Sequence, residues 1–260
     1  MITSKTNTQV KNIEALIKKS KERRKQNKFI VEGSKMVQEA PASWISKIYV
    51  SETYAKQNEK WIQSLKDTPW EVLSDAVFGA VSDTQTPQGI LAIVDIPSYE
   101  LDTLLQKENP LLLVIDSIQD PGNLGTMMRT AEGAGVTGVI MNRTTVDLFN
   151  PKTVRSTMGS IYRMPFVIVE ELEQAIETMK QRGVAVYAAH LKGTQMYDAY
   201  DYTKASAFMI GNEGNGLSDS VAACADVYIR IPMEGQVESL NAAISAALLT
   251  YEANRQRRKA

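Results

Sequence analysis

The feature that most constrains this chain is an unbroken apolar run, Leu111-Leu112-Leu113-Val114-Ile115, followed by five more such runs. A strand of this kind has no polar face to offer water. It must be buried on both sides, as in a parallel sheet covered by helices. The later runs fall at residues 136–141, 165–169, 184–189, 208–210 and 227–231, with helical periodicity between most of them. That alternation is the βαβ pattern and predicts an α/β domain with a parallel sheet over residues 111–260. Residues 97–110, polar and bracketed by Pro97 and Pro110, read as a linker holding one short helix. Residues 1–96 read as a smaller α/β domain. Val10, Ile13, Leu16 and Ile17 mark a helix within residues 7–20, and β-like runs follow at 29–31, 48–50 and 89–94.

Composition removes several function classes. No apolar run approaches the roughly 18 to 20 residues that a membrane helix needs, and the first twelve residues lack the apolar core of a signal peptide. The single cysteine, Cys224, cannot close an internal disulfide, which suits a reducing cytoplasm. With Cys224 and His190 the only soft ligands, no metal site is expected. The net charge of −1 conceals an uneven distribution: residues 5–35 carry ten basic side chains and three acidic ones. Lys18, Lys19, Lys21, Arg23, Arg24 and Lys25 form the centre of this run. It is either a solvated helix end or a phosphate-binding patch, because local charge governs polyanion affinity. Arg255, Arg257, Arg258 and Lys259 form a second cluster, either a further contact to a nucleic-acid-like polyanion or a basic helix terminus.

Three segments lie where strands give way to loops. The first, Asp120-Pro121-Gly122-Asn123 through Arg129, follows the run at 111–115 and opens a helix. Open α/β sheets hold ligands at such strand ends. Asn123 is a natural helix cap. Arg129 stands apart from the apolar stripe of Leu124, Met127, Met128 and Ala131, and should lean back over Gly125 toward Asn123. A surface pair with Glu132 is its plainer alternative. The second segment, Gly211-Asn212-Glu213-Gly214-Asn215-Gly216, is neither a Walker loop nor a dinucleotide fingerprint. Its glycines imply a tight turn or close backbone approach to a ligand, and Glu213 among them reads as a carboxylate accepting backbone N–H groups. The third runs from Ile231-Pro232-Met233 to Ser239-Leu240-Asn241 and into a last helix. Ser239 is its candidate cap, and Leu240, Ile244, Leu248 and Tyr251 its expected buried stripe. Small residues at 242, 243, 246 and 247 allow close packing against a neighbour.

Together these segments resemble the SpoU (TrmH-type) family of RNA ribose 2′-O-methyltransferases, in the SPOUT superfamily. The resemblance rests on Asp120-Pro121-Gly122-Asn123 with Arg129, on Gly211, Glu213 and Gly216, and on Ile231-Pro232-Met233 with Ser239-Leu240-Asn241. Asn150-Pro151, Arg155, Gly159 and Pro165 add to it, and it spans residues 110–255. One departure is Ala243, where many members carry a second Ser.

The resemblance implies a deep trefoil knot in the C-terminal domain and S-adenosylmethionine as methyl donor, held around Gly211, Ile231 and Leu240. It implies RNA as substrate, with the basic N-terminal domain as an RNA grip favouring 23S rRNA over tRNA. An RNA-binding assembly protein that has lost catalysis is the rival from another class. Arg129 would hold the target phosphate or 2′-oxygen, with Asn123, Glu213, Ser239 and Asn241 orienting it and the ribose. A cytoplasmic homodimer is expected, its sites completed at the interface.

Overall fold

The computed structural model describes residues 1–65 and 68–259, which divide by their contacts into two units: Met1–Pro97 with Leu148–Tyr162, and Ser98–Asp147 with Arg163–Ala260.

The first unit is built on a mixed sheet of β1 (Lys28–Glu32), β2 (Ile45–Ser51), β3 (Trp70–Leu73) and β4 (Ile90–Asp95), in the order β1-β4-β2-β3. β4 runs antiparallel to both neighbours, and β2 and β3 pair in parallel. The helix Thr8–Lys18 lays Val10, Ile13, Leu16 and Ile17 into a core with Ile30, Leu91 and Phe78, as its spacing predicts. The excursion Leu148–Tyr162 belongs to this unit too, although the sequence reads continuously into the second domain. Phe149 packs on Phe29 with ring centroids 5.0 Å apart, and the Tyr162 hydroxyl donates to the Met36 carbonyl at 2.8 Å. Arg155, one of the family-like residues, pairs with Asp83 at 2.8 Å.

The second unit carries β5 (Leu111–Ile115), β6 (Gly138–Asn142), β7 (Phe166–Val169), β8 (Ala185–Ala189), β9 (Gln195–Met196), β10 (Ser206–Ile210) and β11 (Val227–Arg230). The order is β7-β6-β5-β10-β8-β11-β9, and every pairing is parallel. All five residues of β5 and of β10 are buried, as an apolar run in a two-faced sheet requires. The strands therefore deliver their C-terminal ends, and the loops after them, to one edge.

Two helices close on each other near that edge. Pro121–Ala134 buries Leu124, Met127, Met128 and Ala131, and Ala242–Arg257 packs against it. The buried face of the second helix is not the expected stripe. Ala242, Ala243, Ala246, Leu249, Thr250 and Ala253 point inward, while Ile244 and Tyr251 are 50% and 48% exposed, and Leu240 and Leu248 are half-buried. Close helix approach favours the small face, so the large apolar side chains are turned outward. The basic C-terminus is partly structural. Arg257 donates to the carbonyls of Asn109, Tyr202 and Lys204, and Arg255 forms a two-bond pair with Glu252. No helix among the described residues is long and apolar enough to cross a membrane.

Candidate active site

The chain leaves β5 through Asp116 and Ser117 and enters the helix at Pro121. Asp120, not Asn123, is the cap: its Oδ1 accepts from the Asn123 N–H at 2.8 Å. Proline lacks an N–H and suits the first helical position, so the cap falls on the residue before it. This releases the Asn123 side chain for another task. Its Nδ2 donates to Glu213 Oε1 at 2.9 Å, and its Oδ1 accepts from Asn241 Nδ2 at 3.0 Å. Asn241 in turn caps the last helix, its Oδ1 accepting from Ala243 and Ile244, in the place expected for Ser239. The direction of the chain follows from chemistry: a carboxylate at one end can only accept, and helix N–H groups at the other can only donate. Three segments separated by up to 118 residues thus meet on one amide.

Glu213 reaches the same place from the loop after β10. Its carboxylate accepts from the main-chain N–H groups of Gln119 and Asp120, both at 3.1 Å, besides Asn123. Burial pushes its pKa up, but the hydrogen bonds from Asn123 and from backbone N–H groups outweigh that and hold it below the ordinary glutamate value. A carboxylate so saturated is a brace and a poor proton acceptor. The loop that carries it closes on itself, with Asn212 and Gly216 exchanging N–H···O bonds at 2.9 Å. A Cβ on Gly211 would stand 2.0 Å from the Leu217 nitrogen. The loop's own backbone therefore demands this glycine.

Arg129 is exposed, and no hydrogen bond or ion pair links it to any described residue. Glu132, its plainer candidate partner, instead receives Arg163. Ser239 is exposed and is not joined to the Asn123 cluster by a hydrogen bond among the described residues. Ile231 and Leu240 are half-buried at either end of a segment in which no hydrogen bond among the described residues uses the main chain of 232–240. Such a segment leaves both main-chain N–H and C=O groups open to a polar ligand.

The sequence profile of the SpoU rRNA methylase family matches residues 110–251. The chain belongs to this family. Residues 7–92 of this SpoU chain match the MRM3-like substrate binding domain. Among its relatives, the 23S rRNA (guanosine(2553)-2′-O)-methyltransferase RlmP of Bacillus subtilis is 38% identical over 96% of this chain and 97% of that protein. The 23S rRNA (uridine(2479)-2′-O)-methyltransferase of Streptomyces viridochromogenes is 30% identical over 98% and 92%. The AdoMet-bound rRNA methyltransferase of Sinorhizobium meliloti superimposes with a TM-score of 0.86 at 32% identity, over 98% of this chain and 97% of that one.

Within the substrate-binding part of this SpoU chain, Lys18, Lys19, Lys21, Arg24 and Lys25 are exposed around the junction of two helices, Thr8–Lys18 and Ser20–Gln26. Arg23 is not available to RNA. It is 3% exposed, and its guanidinium donates to the carbonyls of Leu16 at 2.6 Å and Ile17 at 2.9 Å, closing the end of the first helix. Sequence reasoning also missed Asp116, Asn142 and Asn212, which tie the loops behind the site. Their signal is faint: polar residues standing immediately at the ends of apolar strands.

Proposed function

We propose that this chain transfers the methyl group of S-adenosylmethionine to a ribose 2′-oxygen of 23S rRNA. The observation that carries the reading is Asn123, bonded at once to Glu213 and Asn241, on the same helix as Arg129, which is exposed and without a partner among the described residues. The names of the full-length relatives support the substrate, and the basic corner of the first unit supports a grip on RNA backbone.

When bound, the donor would supply an electrophilic methyl carbon: the 2′-oxygen forms the new C–O bond as the C–S bond breaks, the demethylated thioether leaves, and the 2′-hydroxyl proton passes to solvent or to an RNA phosphate. Main-chain groups near Gly211, Ile231 and Leu240 would hold the donor. Arg129 engages the phosphate or the 2′-oxygen of the target and offsets the negative charge that develops there. A guanidinium keeps its proton, so Arg129 acts as an electrostatic partner and not as a base. Asn123, Glu213 and Asn241 keep the surrounding loops in register, and Ser239 lines the approach to the ribose. Alignment of donor and acceptor is the main source of rate in such a step. The strand order, with β10 between β5 and β8, supports a knotted C-terminal part.

The protein acts as a homodimer in the cytoplasm, where rRNA is made and assembled. Ile244, Leu248 and Tyr251 line an open groove with Tyr197, and this outward apolar face fits a second copy. The partner would then bring a substrate toward Arg129. Incubation with methyl-labelled S-adenosylmethionine and either 23S rRNA or tRNA tests the reading. Label on a ribose of 23S rRNA is the expected result. Label on tRNA alone would reassign the substrate, and donor binding without label in either RNA would favour a binding protein.

A further inference from the structure

Two carboxylates cross between the same pair of loops in opposite directions. Glu213, after β10, takes the N–H groups of Gln119 and Asp120, after β5. Asp116, after β5, takes the N–H of Ser218 at 2.9 Å and its hydroxyl at 2.8 Å, after β10. Asp116 is 3% exposed, and its second oxygen accepts from Asn142 Nδ2 at 2.8 Å and Ser117 Oγ at 2.9 Å. Four donors therefore converge on one buried carboxylate, from Ser117 after β5, Asn142 at the end of β6 and Ser218 at the far end of the loop after β10, the condition under which such a group is tolerated.

Asn142 is used completely. Its Nδ2 also donates to Ser117 Oγ at 3.0 Å, and its Oδ1 accepts from the Ser117 N–H at 3.0 Å and from Thr145 Oγ1 at 2.8 Å. These bonds hold Ser117 at φ 59°, a left-handed conformation that a serine seldom adopts unless its surroundings impose it. Asn212 secures the same residue from the other loop, its Nδ2 donating to the Ser117 carbonyl at 2.8 Å. Asp116 thus spaces the roots of the two loops, and Glu213 spaces their tips. Asn123 hangs from the tips.

We propose that Asp116 is a positioning residue for methyl transfer, fixing the separation of the loops after β5 and β10 so that Glu213 and Asn123 present the site in one geometry. The inference rests on the methyltransferase reading above. Replacement by asparagine keeps the shape but turns an N–H group toward existing donors, so the loops must shift. A displacement of about 1 Å at a reacting centre costs about 100-fold in rate.

The experiment uses full-length protein, with Asp116→Asn, Glu213→Gln, Ser218→Ala and the double variant Asp116→Asn/Glu213→Gln. Amide hydrogen exchange at residues 119 and 120 is expected to quicken about tenfold in Asp116→Asn, because those N–H groups depend on the loop spacing. Its kcat is expected to fall about 10–100-fold while the KM for RNA stays within about twofold, the signature of an effect on the transition state. Ser218→Ala, which removes one donor and leaves the rest, is expected to lower kcat about threefold. The double variant should fall no more than about threefold below its worse single, because both changes release the same pair of loops. Unchanged kcat in Asp116→Asn, or losses that multiply in the double variant, would overturn the inference. Should Asp116→Asn not fold, unchanged kcat in Ser218→Ala would overturn it instead. A wild-type chain that labels no RNA would overturn the methyltransferase reading, and quickened exchange at residues 119 and 120 would still identify the brace.

Discussion

Two kinds of loop leave the same edge of the parallel sheet. Those after β5 and β10 are tied together by Asp116, Glu213, Asn123 and Asn212, with main-chain groups as the main partners. The loop after β11, at residues 232–240, uses no main-chain hydrogen bond among the described residues and is largely exposed. Arg129 likewise has no hydrogen-bond or ion-pair partner among the described residues. One part of the edge is preorganised by the chain itself, and the other presents groups that a donor and an RNA can engage. This division suits a displacement reaction, where a rigid frame sets alignment and free polar groups meet the reactants.

The contrast sets out which changes should harm the reaction alone and which should also harm the fold. The largest effect is expected at the open side. Arg129→Ala should lower kcat by about 100- to 1000-fold, with donor affinity by calorimetry unchanged and stability within about 0.5 kcal/mol of wild type. A variant that turns over normally would remove Arg129 from the chemistry. On the braced side, Asn123→Ala should lower kcat and also destabilise by about 0.5–1.5 kcal/mol, because Glu213 and Asn241 each lose a solvent-exposed partner. Urea unfolding reads the second effect directly. A loss of rate without loss of stability would place Asn123 with the open groups.

The first unit repeats the contrast on a smaller scale. Arg23→Ala should destabilise by about 1–3 kcal/mol, since two helix-end carbonyls lose their donor. Lys21→Ala should leave stability alone and reduce the salt dependence of RNA binding by about one contact. The smallest expected effect is that of acid on Glu213. Its folded pKa lies below the ordinary 4.5, so the brace contributes stability fully above that value and loses it as pH falls through the lower folded value. Glu213→Gln should flatten this acid limb in thermal melts, and an unaltered limb would remove Glu213 from it.

Much of this arrangement was legible because strongly patterned segments are determined locally. The apolar runs became β5 to β8, β10 and β11, although β7 and β11, nearer the sheet edges, are only partly buried, and Val10, Ile13, Leu16 and Ile17 became a buried helix face. Short elements escaped. β9 has two residues, both exposed, and β3 starts on a Trp that is 40% exposed. The cap of the Pro121–Ala134 helix is ambiguous in the sequence because Asp120 and Asn123 are both good caps, and only the proline between them decides. The buried face of Ala242–Arg257 departs from the expected stripe because periodicity ranks side chains by hydrophobicity, whereas two helices in close contact select small ones. Arg23 was hidden in a run of like charges, since burial of one among them depends on carbonyls that only the folded helix end exposes. The motifs of the site were readable in order and spacing. Their meeting on a single amide was not, because it depends on pairings across 90 and 118 residues.

Mapping ribose methylation across all rRNA and tRNA, in a strain with and without this protein, tests the central claim most directly. The account predicts that one 2′-O-methyl mark on 23S rRNA disappears with the protein, returns with the wild-type chain and does not return with Arg129→Ala. An unchanged 23S rRNA pattern, or restoration of the mark by Arg129→Ala, would contradict it.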